Sequence, residues 1–538
     1  MASISRVRVK HARAGLANNA QRYIAEGDGR PYVLLSFFFI ILSLLLLPII
    51  QFQIPPLYDY PNHLARLDII SRLSQDEFLA RYYYLNWQVI PNIASDVIVP
   101  PFAELVGLYL AGKIFIITSI ILIFTGVHAV YFAVYRHSSV MPLIGALIMY
   151  NNVMAHGLIN YTFGIGVMLW GIAFWLGLRE KSSLLRAAVS VVFVIATFFS
   201  HLAAFGLYAL GLLAIELHKG FEKREHIGRA TLVDVAVLGV PLLIVPLLMA
   251  VSPTGQHLAA VSWVSSGCTS TSLTCYFLVK LKGIQWVFEA YSRTSDLISL
   301  ALILLGAFWM WRRHWLRAHP MAAWLAGAAL VVYFALPTEA FGSSLTDVRL
   351  PVGMALLMIG FFDIKFPNRK AQNLFMCALC GILIFRIATI LDVWRIYNME
   401  WSEIRSSFQH IDRGSKILVA RSGALAEVAT VESVPCLAVV ERSSLGSLVF
   451  AVHGQQILRL RSLYVDDIIG YSDAPVSVDD LISMKIESSN GKPYLENWRE
   501  FYDYVYILHG VNHPPGNIPD NLQLLDSGRR YQLYRILR

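Results

Sequence analysis

The chain has 538 residues, 56% of them apolar and 15% charged, with a formal net charge of +8. Soluble domains average about 25% charged residues, and the deficit here is concentrated in the first 391 residues, where mean hydropathy is carried by apolar runs of spanning length; an ordinary soluble protein is excluded. A nucleic-acid partner is excluded as well, because Lys and Arg sit in short loops between apolar runs and form no stripe interleaved with stacking aromatics.

In chain order, residues 1–30 are polar and carry Arg6, Arg8, Lys10, Arg13, Arg22 and Arg30, which predicts a cytoplasmic N-terminus. The apolar run from Pro31 to Phe52 is too long for a signal-peptide core and reads as a retained first span. Later basic loops fall at Arg136-His137, Arg179 to Arg186, residues 218–229, Arg312 to Arg317 and Lys365 to Lys370, all expected on the cytoplasmic side. Loops on one side must be separated by an even number of spans. The stretches 139–178 and 187–217 are therefore predicted to be hairpins, turning near residues 151–161 and near Ser200-His201. Further spans fall near 108–135, 232–251, 296–311, 320–336, 350–363 and 373–391.

The reading is a polytopic α-helical membrane protein of about eleven spans, with its transmembrane region over 31–391 and external segments at 53–107, 252–295, 337–349 and beyond 391. Cys268 and Cys275, spaced C-x6-C on the external side, are either a disulfide or two separate thiols. Cys377 and Cys380 read as packing residues within a span, and no zinc-ligand spacing occurs. After the last span, Trp394, Tyr397, Trp401, Ile404, Phe408 and Ile411 mark one face of an amphipathic helix over 392–413, lying at the bilayer interface or packed on the C-terminal domain. Residues 414–538 are expected to form that domain, a small extracytoplasmic α/β unit with strands at 416–420, 436–441, 504–510 and 531–537 and turns at Asn490-Gly491 and Ser527-Gly528.

Ionisable groups gather on the external segments. In PPLYDYPNHLARLD (55–68) two prolines stop the first span and Asp59 follows at the membrane surface. If a helix starts at Pro61, His63 and Arg66 share a face and flank a pocket with Asp59. A carboxylate beside a cation stays ionised, as a general base must; the plainer reading is a loop helix capped by Asp59 or Asn62. Glu339, Asp347 and Arg349 lie in PTEAFGSSLTDVRLP (337–351), where Arg349 opens a span and suits a phosphate, or simply pairs with Asp347. His156 and His201 fall at the two hairpin turns, as buried histidines or as lining of a shared cleft.

With these features the chain resembles the GT-C superfamily of membrane glycosyltransferases, in particular bacterial members that use polyprenyl-phosphate sugars. The resemblance rests on Asp59-Tyr60-Pro61-Asn62-His63 opening a long external loop, two short hairpins, Arg349-Leu350-Pro351 opening a late span, and a helix leading to an external C-terminal domain; residues 434–460 also look like C-terminal regions of such proteins. It implies transfer of a sugar from a polyprenyl-phosphate donor to a glycan, lipid or protein acceptor at the outer face of the inner membrane, with Asp59 as the loop-one acid and Arg349 at the donor phosphate. The sequence departs from the superfamily's acidic pair, since Tyr60 follows Asp59 and Asp68 is the nearest substitute. A divalent metal stays open, and no nucleotide cofactor is expected. The alternatives are a transporter or flippase of an envelope precursor, and a non-catalytic assembly partner; the spans hold few mid-membrane charges and no evident repeat.

Overall fold

The computed structural model describes residues 31–222, 229–256, 273–341, 343–465, 475–483, 497–511 and 513–538. The basic N-terminal segment 1–30 and Cys268 lie outside these residues, and so does the C-x6-C pairing, of which only the disulfide-bonded Cys275 is described.

Seven described helices are long and apolar enough to cross a membrane, and three shorter apolar helices accompany them. They run α1 (Pro31–Gln51), then two helices of the first long loop, α2 (Tyr60–Arg72) and α3 (Ala94–Val106), then α4 (Leu108–Tyr135), α5 (Ile159–Gly177), α6 (Ser183–Ser200) and α7 (Leu202–Glu222). After these come α8 (Arg229–Leu242) with α9 (Ile244–Val251), α10 (Leu273–Gln285), α11 (Arg293–Arg312), α12 (Pro320–Ala335), α13 (Arg349–Ile359) and α14 (Arg369–Ser406). A 3₁₀ segment, Met141–Ile148, adds one further short apolar stretch among the described residues.

The hairpin turns fall where loop parity put them. One breaks at His201, between α6 and α7; the other descends as the 3₁₀ segment and returns as α5, turning at residues 149–158. A 3₁₀ helix rises about 2 Å per residue, so this pass covers more depth than an α-helix of equal length. The two-stranded ribbon β2 (Leu316–Ala318) with β3 (Phe362–Ile364) joins two of the basic loops directly. The Tyr131 hydroxyl donates to Asp363 Oδ1 at 2.6 Å and the Tyr135 hydroxyl to the Phe361 carbonyl at 2.9 Å. The end of α4 and both ribbon strands therefore share one face of the molecule, opposite the hairpin turns.

Glycine sets the closest helix approach. A Cβ on Gly166 of α5 would lie 2.5 Å from Leu122 Cβ and 3.2 Å from the Ile123 nitrogen of α4, and one on Gly126 would lie 2.8 Å from Leu169 Cβ. Small residues let membrane helices pack backbone to backbone. Gly166→Ala is expected to force the pair apart at about 1–3 kcal/mol, the usual range for overpacking, read as a lower thermal midpoint of the detergent-solubilised chain.

Helix α14 corrects one expectation. No separate interfacial helix occupies 392–413; the last span continues unbroken for 38 residues. At 1.5 Å per residue that is about 57 Å, well beyond a hydrocarbon core of about 30 Å. Trp394 is fully buried among Phe52, Tyr150 and Tyr291 instead of sitting at the bilayer surface, and Trp401, Ile404 and Phe408 pack into the C-terminal core.

The C-terminal sheet runs β5 (Leu445–Gly446), β4 (Lys416–Ser422), β8 (Tyr504–His509), β10 (Tyr531–Ile536), β9 (Leu522–Ser527), with β7 (Val476–Ser477) also beside β4. Strands β5, β7 and β8 are parallel to β4, and β10 is antiparallel to both β8 and β9. Alternation is clean: Ile417, Val419, Tyr504 and Tyr506 face the core that includes α14, while Leu418, Ala420, Val505 and Ile507 face Leu481 and Trp498. The segment expected as a strand at 436–441 is helical, as the turn Val434–Cys436 and the helix Leu437–Arg442. It packs on α2, and its all-apolar run carries no period that separates strand from helix. The sheet domain is stitched to the first loop, where β1 (Tyr83–Leu85) pairs antiparallel with β6 (Leu458–Leu460).

Candidate functional site

Asp59 stands at the N-cap of α2, half-buried, with Pro61 in the first turn, and its carboxylate does not cap the helix. Its position is fixed through the backbone. The Tyr58 and Asp59 amides donate to the carbonyls of Ala155 and His156 at 2.9 and 3.0 Å, so the loop-one motif is laced to the turn of the first hairpin. Gly157 (φ +83°) makes this approach possible: a Cβ there would sit 3.1 Å from the Asp59 nitrogen, and L side chains avoid that φ.

Arg349 begins α13 and is 5% exposed. Its Nη1 donates to Ser343 Oγ at 3.1 Å and its Nη2 to the Ser344 carbonyl at 3.0 Å, while Tyr161 donates to its carbonyl oxygen. Asp347 does not pair with it. That carboxylate forms a buried salt bridge with Lys280 at 2.7 Å, and Lys280 also donates to the Leu336 carbonyl. Arg349 still lies within electrostatic range of Asp347, and also of Asp59 and of His201. The His201 ring packs edge-on against Tyr161 at 5.4 Å, and its Nδ1 accepts from the Ala203 amide at 3.1 Å. That acceptor role leaves the proton of a neutral ring on Nε2.

Arg349 and His201 line a cavity of about 230 Å³. The rest of its wall is largely apolar, from α7 (Leu202, Ala203, Gly206, Leu207), Val332 of α12, the Leu336 that follows it, and Leu350, with Asn92, Thr254 and Gln455 among its polar residues. Gly454 and Gln455 come from the C-terminal domain, and Thr254 donates to the Gly454 carbonyl. Asn62 clamps the same segment, accepting from the Phe450 amide at 2.8 Å and donating to the Leu448 carbonyl.

The other expected residues divide. His156 lies beside the Asp59 loop and not among the cavity's lining, its ring stacked on Trp286 at 4.5 Å and beside Tyr58 at 5.3 Å. His63 is buried against Phe450, and burial together with the neighbouring Arg66 guanidinium pushes its pKa well below the usual histidine value, so the ring is neutral. Arg66 is withdrawn from any pocket: fully buried, it pairs with Asp96 of α3 at 2.9 Å and donates to Ser95 Oγ. Asp68 points away. Nine residues down a helix from Asp59 is about 13 Å and half a turn, and Asp68 accepts two bonds from Arg72 Nε at 2.9 Å in a cluster that ties α2 to Asp76, Ser443 and the Val440 carbonyl. Glu339 is exposed and does not line the cavity. Lys280, Tyr161, Gly454 and Gln455 join the site without a sequence pattern that marks them; a lysine in an apolar helix, LTCYFLVKLKGIQ, is the one available signal. Among the described residues, no three His, Cys, Asp or Glu side chains gather as a metal site.

No protein-family model matches the chain, and no curated protein matches it by sequence. Among solved structures it is similar to ArnT from Cupriavidus metallidurans bound to undecaprenyl phosphate, at 12% identity and a TM-score of 0.47, over 96% of this chain and 98% of that one. The protein is a polytopic helical chain whose C-terminal α/β domain closes one end of its site.

Proposed function

We propose that the chain is a GT-C-type membrane glycosyltransferase that moves a sugar from a polyprenyl-phosphate donor to an envelope glycan, lipid or protein acceptor. The proposed location is the inner membrane, with the basic loops in the cytoplasm and the site on the opposite, extracytoplasmic face. The observation that carries the reading is the placement of Arg349 and His201 on the wall of a largely apolar cavity, with Asp59 within electrostatic range of Arg349.

Sugar transfer needs a base for the acceptor hydroxyl and an anchor for the charge growing on the leaving phosphate. Asp59 takes the hydroxyl proton as that oxygen attacks the anomeric carbon. The bond from that carbon to the phosphate oxygen breaks, and its electron pair passes to the phosphate. Arg349, at the N-terminus of α13, receives the charge as a planar fork aided by the helix end, and His201 donates from Nε2. The attack inverts the anomeric centre.

Mass spectrometry of envelope glycolipids and polysaccharides tests this in three strains: one with the intact gene, one with a deletion, and one carrying Asp59→Asn at matched protein level. One glycan is expected to lose one sugar in both altered strains, and the missing sugar identifies the donor. A change in the deletion alone removes Asp59 as the base and favours a flippase or an assembly partner.

A further inference from the structure

An arginine and a carboxylate form one of the strongest charge-assisted contacts, and Asp347 precedes Arg349 by two residues, yet the two do not pair. Asp347 Oδ2 accepts from Lys280 Nζ of α10 at 2.7 Å, and the two side chains are 3% and 0% exposed. Asp347 Oδ1 accepts from the Val348 amide at 3.0 Å, so the carboxylate is turned back on its own loop. Lys280 is held as firmly. Its Nζ also donates to the Leu336 carbonyl at 2.7 Å and lies 5.4 and 5.1 Å from the centres of the Tyr276 and Tyr333 rings. The Tyr333 hydroxyl donates to the Lys280 carbonyl at 2.6 Å. Arg349, by contrast, makes only neutral contacts, to Ser343 Oγ and the Ser344 carbonyl. Its buried Nε has no hydrogen-bond partner among the described residues. An apolar pair of similar volume often braces a fold as well as a buried ion pair or better, so bracing alone does not account for two charges at Lys280 and Asp347.

We propose that Lys280 is a positioning residue for the donor phosphate: by holding the Asp347 carboxylate away from Arg349, it keeps that guanidinium open to an anion in the cavity. The proposal rests on the polyprenyl-phosphate reading of the site. Without the ammonium, Asp347 becomes a buried charge with no counter-charge. It then turns to Arg349, two residues on and already within electrostatic range. A carboxylate on the guanidinium competes with phosphate for the same planar fork of donors. Removing both charges takes the competitor away and leaves Arg349 as open as before. The signature is therefore an asymmetry between the two partners and a rescue by the double variant.

Native mass spectrometry of the full-length, detergent-solubilised chain tests this, with undecaprenyl phosphate and the uncharged undecaprenol as probes. The variants are Lys280→Met, Lys280→Gln, Asp347→Asn and the Lys280→Met/Asp347→Asn double. Glutamine keeps a donor for the Leu336 carbonyl without the charge, and asparagine keeps an acceptor for the Val348 amide. Thermal midpoints report which variants keep the fold, and the glutamine variant carries the comparison if the methionine variant does not. Loss of Lys280 is expected to weaken undecaprenyl phosphate binding by about tenfold or more, the equivalent of one charge-assisted hydrogen bond, and to leave undecaprenol binding unchanged. Asp347→Asn is expected to bind undecaprenyl phosphate at least as tightly as the parent, and the double variant to return close to it. Asp347→Asn as weak as the Lys280 variants, a double variant no better than Lys280→Met, or an equal loss of undecaprenol makes the pair a structural brace and overturns the proposal, with the donor reading left standing. A parent chain that binds the phosphate no better than the alcohol overturns the donor reading, and the role of Lys280 falls with it.

Discussion

Replacing Arg66 by methionine is expected to destabilise the first loop by about 3–5 kcal/mol, the range for removing one partner of a buried ion pair. Both side chains of the Arg66–Asp96 pair are fully buried, and Ser95 Oγ bonds to both partners. Without the guanidinium, Asp96 is left as a charge among apolar groups. Burial already holds the Asp96 pKa above the ordinary carboxylate range although Arg66 pulls the other way. An acid whose folded pKa is raised weakens the fold when ionised, so the loss in the variant is largest above its folded pKa and shrinks as pH falls and the carboxyl protonates. The thermal midpoint of the solubilised variant should therefore recover as pH is lowered from neutrality, while that of the parent changes less. Adding Asp96→Leu should restore most of the stability, since an apolar pair of similar volume is often neutral or better. A single variant as stable as the parent at pH 8 would show that water reaches the pair.

What the sequence disclosed depended on the reach of each signal. Loop charge and parity are properties of whole segments, and they located the turn at His201 and the long hairpin ending at α5 because a hydrophobic run cannot end at the wrong face of a bilayer. Short apolar runs between turn residues disclosed β4, β8 and β10, each with one face against α14 and the other against Trp498. The continuity of α14 is legible too: no Pro or Gly interrupts residues 382–406, and the three-four spacing from Trp394 to Ile411 is one unbroken helical face. Of the two readings of that face, packing on the C-terminal domain is the one Trp401, Ile404 and Phe408 follow, because tryptophan serves in a core as well as at a bilayer surface.

The site was legible only at its ends. Asp59 and Arg349 each sit at a helix start beside proline, a local signal. That Arg66 turns inward to Asp96, 30 residues on, and that Lys280 removes Asp347 from Arg349, are facts of tertiary pairing with no local trace. The closure of the cavity by Gly454 and Gln455 is more remote still, since the Asn62 clamp that seats their segment spans 386 residues of sequence. Rotation about α2 is the exception. Helix geometry alone turns Asp68 to the opposite side from Asp59.

That rotation makes the second large prediction a comparison of two carboxylates on one helix. Asp59→Asn is expected to lower sugar transfer by about 10²–10⁴-fold, the usual contribution of a positioned general base. Asp68→Asn should leave transfer close to that of the parent. Burial raises the Asp68 pKa to about 6 against the pull of Arg72, so its ionised form is held at some expense above that pH, and a neutral amide can keep a bond to Arg72. The partly exposed partner limits the loss of stability to under about 1 kcal/mol. Turnover in lipid nanodiscs, with the donor identified from the strain comparison, separates the two. Loss at Asp59 with retention at Asp68 fits a base held over the hairpin turn at Gly157. The reverse outcome would move the chemistry to the far side of α2, toward Arg72 and the C-terminal domain, and the cavity at Arg349 would then have no base within reach.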